Sequence, residues 1–130
     1  MHSVAEKAAE SGQRFATRAM ICLSRGGQDA FEAREFDLQR KTFLPEAEGG
    51  FVLPESKSVV SFFSRDCLLV STDFGPGSMT YAGYPRSVRL WHRGAPLAAS
   101  PIIFQGEISD HVVLGTSGTA LYQLPCYGAW

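Results

Sequence analysis

A long interruption between two strand-like stretches, residues 74–85, constrains the fold of this chain more than any other feature. An apolar run at residues 68–70 precedes it, and residues 86–91 after it alternate with the period of a pleated strand. Its glycines and prolines exclude a helix and a regular strand. Because ordering such a loop costs entropy, we expect it to contact another part of the molecule. A surface loop that the fold merely tolerates is the alternative.

Length and composition predict one globular domain that is mostly β-sheet. The chain has 130 residues, of which 45% are hydrophobic and 19% charged, so it can bury a core. Its 13 glycines and 7 prolines, many at apparent turns, favour an all-β fold. Twelve basic and 13 acidic residues give a net charge of -1 without a basic stripe, which argues against nucleic-acid binding.

The sequence offers little to hold a metal or a cofactor. Three cysteines without a CxxC pair and three histidines do not make a zinc site, and no phosphate-binding or dinucleotide motif is present. We therefore expect no metal and no cofactor. The N-terminus is too polar for a signal peptide, and no apolar run reaches about 18 residues, so we expect a cytoplasmic chain that contacts no membrane.

Short apolar stretches separated by turn residues predict a succession of strands. They lie at residues 19–24, 31–38, 42–44, 59–63, 68–72, 86–91 and 102–104. A further apolar stretch, 51–53, ends at Pro54, residues 112–114 have the composition of one more strand, and residues 3–14 can form a short helix. We expect antiparallel sheet from about residue 19 to residue 104, with the 74–85 loop protruding.

The order of these strands repeats weakly along the chain. Strand, turn, strand, turn and short strand occur at 19–44 and again at 68–104. A period of about 40–50 residues with four strands per unit is typical of β-propeller blades. In this interpretation residues 59–63 form the inner strand of the second unit, and the first unit lacks its inner strand.

Several strings in this order resemble the prolyl oligopeptidase family of serine peptidases, and more narrowly the β-propeller part of its bacterial members. The resemblance runs over residues 19–110, and its most specific piece is DFGPGS followed by GYPR within residues 68–97. The matching strings are LSRGGQDA (23–30), REFDL (34–38), LPESKS (53–58), LLVSTDFGPGSMTYAGYPRSVRLWHRGAPL (68–97) and IIFQGE (102–107).

The resemblance implies a partial propeller of about two antiparallel four-stranded blades at 19–111. Outside the resemblance, we expect an N-terminal segment at residues 1–18 that can be helical and an irregular tail at 112–130. In that family a propeller limits access to an α/β-hydrolase domain that cleaves after proline. The implied partners are that catalytic domain and, in its context, a peptide substrate; self-association is a further expectation. A free-standing β-sheet interaction module and a truncated product without function are the alternatives.

The chain offers no convincing catalytic residue. The nearest approach to the G-x-S-x-G turn of a hydrolase is Gly115 to Thr119, which has threonine where the last glycine is needed and no helix pattern behind it. We therefore expect no catalytic residues and an inactive chain.

Three residues of the long loop are candidates for a substrate or domain interface: Asp73, Tyr84 and Arg86. A tyrosine ring and an arginine fork suit a peptide or a neighbouring domain. The competing interpretations are that Asp73 caps the loop backbone, that Tyr84 packs on its own blade and that Arg86 pairs with a local carboxylate.

An incomplete propeller also leaves apolar surface bare. A blade buries its faces only against neighbouring blades, so a two-blade segment has open sheet faces. We expect the following large side chains to be partly exposed: Phe62, Phe63, Val70, Leu90 and Trp91.

Overall fold

The computed structural model describes residues 17–111 and 113, which form two antiparallel sheets of four strands each and confirm the all-β prediction. The expected helix at 3–14, the strand at 112–114 apart from Val113 and the Gly115–Thr119 turn lie outside the described residues. The first sheet contains β1 (Arg18–Leu23), β2 (Phe31–Asp37), β3 (Thr42–Phe43) and β4 (Val52–Ser56). The second contains β5 (Val59–Ser64), β6 (Cys67–Ser71), β7 (Ser87–His92) and β8 (Ile102–Gln105).

The strands of the second sheet lie side by side in chain order, β5-β6-β7-β8, as the sequence predicts. In the first sheet β1 pairs with β2 from Glu32 to Asp37, and both β3 and β4 bond to the other edge of β2. The pairs Phe36–Phe43 and Ala33–Leu53 fix the two registers. Two short strands, β3 and β4, therefore share one edge of β2. Among the described strands, β1 pairs only with β2.

The expectation that the apolar stretch at 51–53 ends at Pro54 is wrong, because β4 continues through this proline to Ser56. Pro54 is exposed, and the register of β4 against β2 shifts between Phe31 and Ala33. A proline lacks the N–H of a regular ladder, and a bulge of this kind is where a strand accommodates it.

One apolar core lies between the two sheets. The first sheet and the chain beside it contribute Met20, Phe31, Ala33, Phe51 and Leu53, and the second contributes Val60, Phe62, Leu68, Val70 and Trp91. Burying each of the larger side chains contributes roughly 1.5–3 kcal/mol, so this cluster is the main source of stability.

The expectation of bare side chains is wrong for three of the five residues. Phe62, Val70 and Trp91 are only 8%, 0% and 7% exposed, because the first sheet covers them. Phe63 is 59% exposed and Leu90 is half-buried. The first sheet therefore covers the apolar side chains on one face of the second sheet.

The opposite face of the second sheet carries a smaller apolar cluster. Leu69 and Val88 are buried there together with Val113, and Leu90 packs beside them. Phe104, which pairs with Val88 across the sheet, is 60% exposed. This face, called the open face below, has less apolar cover than the face between the sheets.

Candidate functional site

The three predicted interface residues lie at one end of the two sheets, where the longer loops meet. The hairpin loop 24–30, the link 57–58, the loop 72–86 and the segment 106–111 all leave strands at this end, as the pairs Leu23–Glu32 and Ser87–Gln105 show. We call it the loop end. The opposite end, with the turns at 65–66 and 93–94, is called the turn end.

Asp73 shapes the start of the long loop. Its Oδ1 accepts a hydrogen bond from the backbone N–H of Gly75 at 2.8 Å and lies 3.2 Å from the hydroxyl of Ser78. A carboxylate that bonds the backbone two residues ahead is the usual device for tightening such a turn. Asp73 therefore caps the loop backbone.

Arg86 ties the loop to the segment that follows β8. Its Nε donates to the carbonyl of Gly106 at 3.0 Å, and its Nη1 donates to the carbonyl of Gly77 at 2.9 Å. The expectation of a carboxylate partner is wrong, because both acceptors are backbone carbonyls. Arg86 fixes the loop in one conformation and is half-buried.

Tyr84 reaches from the second sheet to the first. Its hydroxyl donates to Oδ2 of Asp29 at 3.2 Å, Nζ of Lys57 lies 4.6 Å from its ring centroid, and the ring of His111 lies 5.5 Å away. The hydrogen bond to Asp29, followed by the charge of that carboxylate, raises the pKa of Tyr84 above its usual value. The ionised phenolate would lose the bond and face a like charge.

The rest of the loop folds back on the protein. The hydroxyl of Thr80 donates to the carbonyl of His111 at 2.8 Å, and the N–H of Tyr81 donates to the carbonyl of Ile108 at 2.9 Å. Thr80 and Pro85 are buried, whereas Tyr81 is 80% exposed. The expected contact with another part of the chain is present, and the projecting feature is Tyr81 rather than the whole loop.

A buried charge cluster at the turn end was not foreseen from the sequence. Glu35 is fully buried, and its Oε1 accepts from Nη1 of Arg93 at 2.6 Å and from the N–H of Phe51 at 3.0 Å. Its Oε2 accepts from Nη2 of Arg93 at 2.9 Å and from Nη1 of Arg18 at 3.1 Å. Every oxygen of this carboxylate therefore has two donors.

Arg93 also donates hydrogen bonds to neighbouring turns of both sheets. It donates to the carbonyl of Gly49 and to Oδ1 of Asp66, each at 2.7 Å, and to the carbonyl of Arg65. The bond to Glu35 is the main cause that raises the pKa of Arg93, ahead of the bond to Asp66. The cluster therefore links the two sheets through buried ion pairs and hydrogen bonds.

The strand sequence FEAREFD contained a signal for this cluster. Phe31, Ala33, Glu35 and Asp37 are all buried and alternate with more exposed residues. A glutamate at a position whose neighbours on the same face are apolar has to find a partner, because an unpaired buried charge is costly. The partner itself lies 58 residues further on and is not visible in the local pattern.

The described residues contain neither a cluster suited to a metal nor a helix that could cross a bilayer. Within 17–111 and 113, no group of three or more His, Cys, Asp or Glu side chains is placed to hold an ion. No helix in this part of the chain combines the length and apolar character that a bilayer span requires.

Comparison with known proteins gives two relatives among curated proteins, both named as peptidases. The chain is 37% identical over 91 residues to the uncharacterized peptidase y4nA of Sinorhizobium fredii, which is 70% of this chain and 12% of the relative. It is 26% identical over 93 residues to the uncharacterized peptidase RP174 of Rickettsia prowazekii, which is 68% of this chain and 13% of the relative. No protein-family model matches.

A solved structure has the same fold over most of the chain. The post-proline cleaving enzyme from Rickettsia typhi superposes with a TM-score of 0.61 and 24% identity, over 77% of this chain and 17% of that enzyme. The chain thus spans a small part of the length of each protein that it matches. These matches confirm the resemblance found in the sequence: over most of its described length the chain is similar to a segment of proteins named as peptidases, and it has the fold of a segment of a post-proline cleaving enzyme.

Proposed function

We propose that this chain supplies two consecutive blades of a β-propeller that limits access to the α/β-hydrolase domain of a prolyl oligopeptidase-like peptidase. The observation that carries the proposal is the packing of two successive four-stranded sheets, joined by the short link 57–58, in a chain related to peptidases. Successive small antiparallel sheets packed face to face are how propellers are built. In this role the chain contributes no catalytic residue, and its location is cytoplasmic.

The open face of the second sheet supports a repeating arrangement. In the first sheet, Ala33 on β2 and Leu53 on β4 lie in the core against the second sheet. Val88 on β7 and Phe104 on β8 occupy the corresponding strands of the second sheet and lie on its open face. A third blade packing there would repeat the contact between the first two.

The loop end supports an interface with another domain. Tyr84, Arg86 and Asp73 are held in place by hydrogen bonds, and the exposed Tyr81 presents an aromatic ring beside them. Rigid aromatic side chains on fixed loops are effective contact residues because little entropy is lost on binding. We place the hydrolase domain, or a peptide on its way to it, against this surface.

A chimera tests the proposal. Residues 18–111 of this chain would replace the matching segment of the y4nA peptidase, and cleavage of a short proline-containing chromogenic peptide would be compared with cleavage of a long unfolded polypeptide. We expect the chimera to cleave the short peptide and spare the polypeptide. A variant lacking the segment is expected to lose this selectivity. A folded chimera that cleaves both substrates equally would contradict the gating role.

A free-standing interaction module is the second candidate. It is favoured by the burial of Phe62, Val70 and Trp91 between the two sheets, which gives the chain a core of its own. A truncated product without function is a third candidate. A reading frame that continues downstream into more blades and a G-x-S-x-G turn would favour the propeller segment over both.

A further inference from the structure

The packed pair of sheets has two apolar faces that do not lie between the sheets. One is the open face of the second sheet, where Phe104 is 60% exposed next to the buried Val88. The other is the far side of the first sheet, because the residues that alternate with the core residues of β1, β2 and β4 point away from the second sheet. We call this far side the outer face, and its apolar residues are Ile21, Leu23, Phe36, Phe43 and Val52.

The outer face has the side chains of a contact surface. Leu23 and Phe43 are 45% and 41% exposed, and the rings of Phe36 and Phe43 lie 5.2 Å apart in an edge-to-face arrangement. Glu32 and Arg34 of β2 lie on the same face and form an ion pair with each other. A second protein surface can therefore pack on the outer face without burying either of these charges alone.

The contact between the two sheets shows which kinds of face fit together. The first sheet contributes the face that carries Ala33 on β2 and Leu53 on β4. The corresponding strands of the second sheet are β7 and β8, and the corresponding face is the open face with Val88 and Phe104. The second sheet contributes its other face, which carries Trp91, to the contact. Unlike faces of the two sheets therefore pack together in this chain.

We propose that the open face of one copy of this chain packs on the outer face of the next copy, and that copies associated in this way close into a ring. A second copy is the occupant of each face because the chain itself carries both of the unlike faces that the contact needs. Such a contact is heterologous and generates a ring when its rotation closes. Propellers have four to eight blades, so a ring of two-sheet chains contains about two to four copies. The inference concerns the faces of this chain and does not rest on the proposed role in a peptidase.

A charge placed on each face of the full chain tests the proposal. Phe104→Arg blocks the open face and Leu23→Arg blocks the outer face, because an arginine would be buried there without a partner. Both positions are exposed in the chain alone, so both variants are expected to fold, which circular dichroism and denaturant melts check. Phe43→Arg is the second outer-face variant. By size-exclusion chromatography with light scattering, we expect two to four copies for the native chain and a monomer for each variant alone.

An equimolar mixture of Phe104→Arg and Leu23→Arg distinguishes unlike from like faces. The intact outer face of the former fits the intact open face of the latter, so we expect pairs and nothing larger. These pairs should dissociate at a higher concentration than the native ring, because one contact holds each copy instead of two. Tyr81→Arg is the control, since Tyr81 is 80% exposed and belongs to neither face, and it should associate like the native chain. A native chain that stays monomeric, or Leu23→Arg and Phe43→Arg variants that associate like it, would overturn the proposal.

Discussion

Arg93 and Glu35 lie 58 residues apart in the chain and form a two-pronged contact that fastens the second sheet to the first. The carboxylate is fully buried, and it also accepts bonds from Arg18 and from the backbone of Phe51. Burying a charge is costly unless such partners replace water. The contact therefore holds the sheets in one relative position as long as every partner is present.

Removing the buried charge should be strongly destabilising. In Glu35→Gln the guanidinium of Arg93 loses its counter-charge in a half-buried site, and we expect the free energy of unfolding to fall by roughly 3–5 kcal/mol. Denaturant unfolding followed by tryptophan fluorescence measures it. Glu32→Gln on the same strand is the control, because its pair with Arg34 is partly exposed and is worth about 1 kcal/mol or less. Equal losses in the two variants would contradict the assigned role of Glu35.

Arg86 should matter for the loop more than for the sheets. Arg86→Met removes the bonds to the carbonyls of Gly77 and Gly106, and we expect residues 74–85 to exchange amide hydrogens faster and to be cut first by proteases. The expected loss of stability is about 1–3 kcal/mol. Arg25→Met is the control, since its side chain is 87% exposed and 3.9 Å from its nearest carboxylate. A loop that stays protected in Arg86→Met would show that the other bonds suffice.

The strands could be predicted because their signal is local. Alternation in β2 and β7 and the turn residues between strands place every strand except β4 within a residue or two of its observed bounds. Pro54 misled the prediction, because the sequence does not show that the strand carries a bulge there. The outcome depended on pairing with a distant strand rather than on local propensity.

The candidate site was only partly predictable for the same reason. The composition of the long loop singled out Asp73, Tyr84 and Arg86, but their partners are set by the fold. Arg86 bonds a carbonyl 20 residues away, and Tyr84 bonds a side chain 55 residues away. The sequence alone therefore indicates which residues can donate these hydrogen bonds, but it does not indicate which distant groups accept them.

Alkaline pH should weaken the Tyr84–Asp29 bond. The pKa of Tyr84 is raised in the folded chain by the bond to Asp29, so the bond contributes fully below the unfolded pKa of about 10 and is lost as the pH rises through the folded value. We expect the stability difference between the native chain and Tyr84→Phe to be constant at neutral pH and to shrink above about pH 10.

Denaturant unfolding at a series of pH values measures this difference. Tyr81→Phe serves as the control, because Tyr81 is exposed and its substitution should leave the stability profile unchanged. A difference between the native chain and Tyr84→Phe that grows at alkaline pH would show that the hydroxyl is not the donor of this bond.

The chain alone should not hydrolyse peptides. We expect no turnover of a chromogenic proline-containing peptide above the buffer rate, because the Gly115–Thr119 string lacks the last glycine of a nucleophile turn. Steady-state absorbance assays measure it. Turnover that vanished in Ser117→Ala would contradict the prediction and assign the nucleophile to this string.

The open face of the second sheet should make the chain associate with itself. Phe104 is 60% exposed on this face, and Phe63 on β5 is 59% exposed. Each large apolar side chain left in water forfeits roughly 1.5–3 kcal/mol, a sizeable part of a domain's margin of about 5–15 kcal/mol. Since the first sheet already covers Phe62, Val70 and Trp91, we expect a folded core that associates with rising concentration. Size-exclusion chromatography at several concentrations, with denaturant melts, measures it.

Substitution separates the open face from other exposed apolar groups. Phe104→Ser should reduce association, whereas Tyr81→Ser should not, because Tyr81, although 80% exposed, is not part of the apolar cluster on this face. A chain that stays monomeric at every concentration and unfolds in one sharp transition would show that the open face needs no partner. That result would favour the free-standing module over the two-blade propeller segment. A blade without its neighbouring blade should instead associate with another apolar surface.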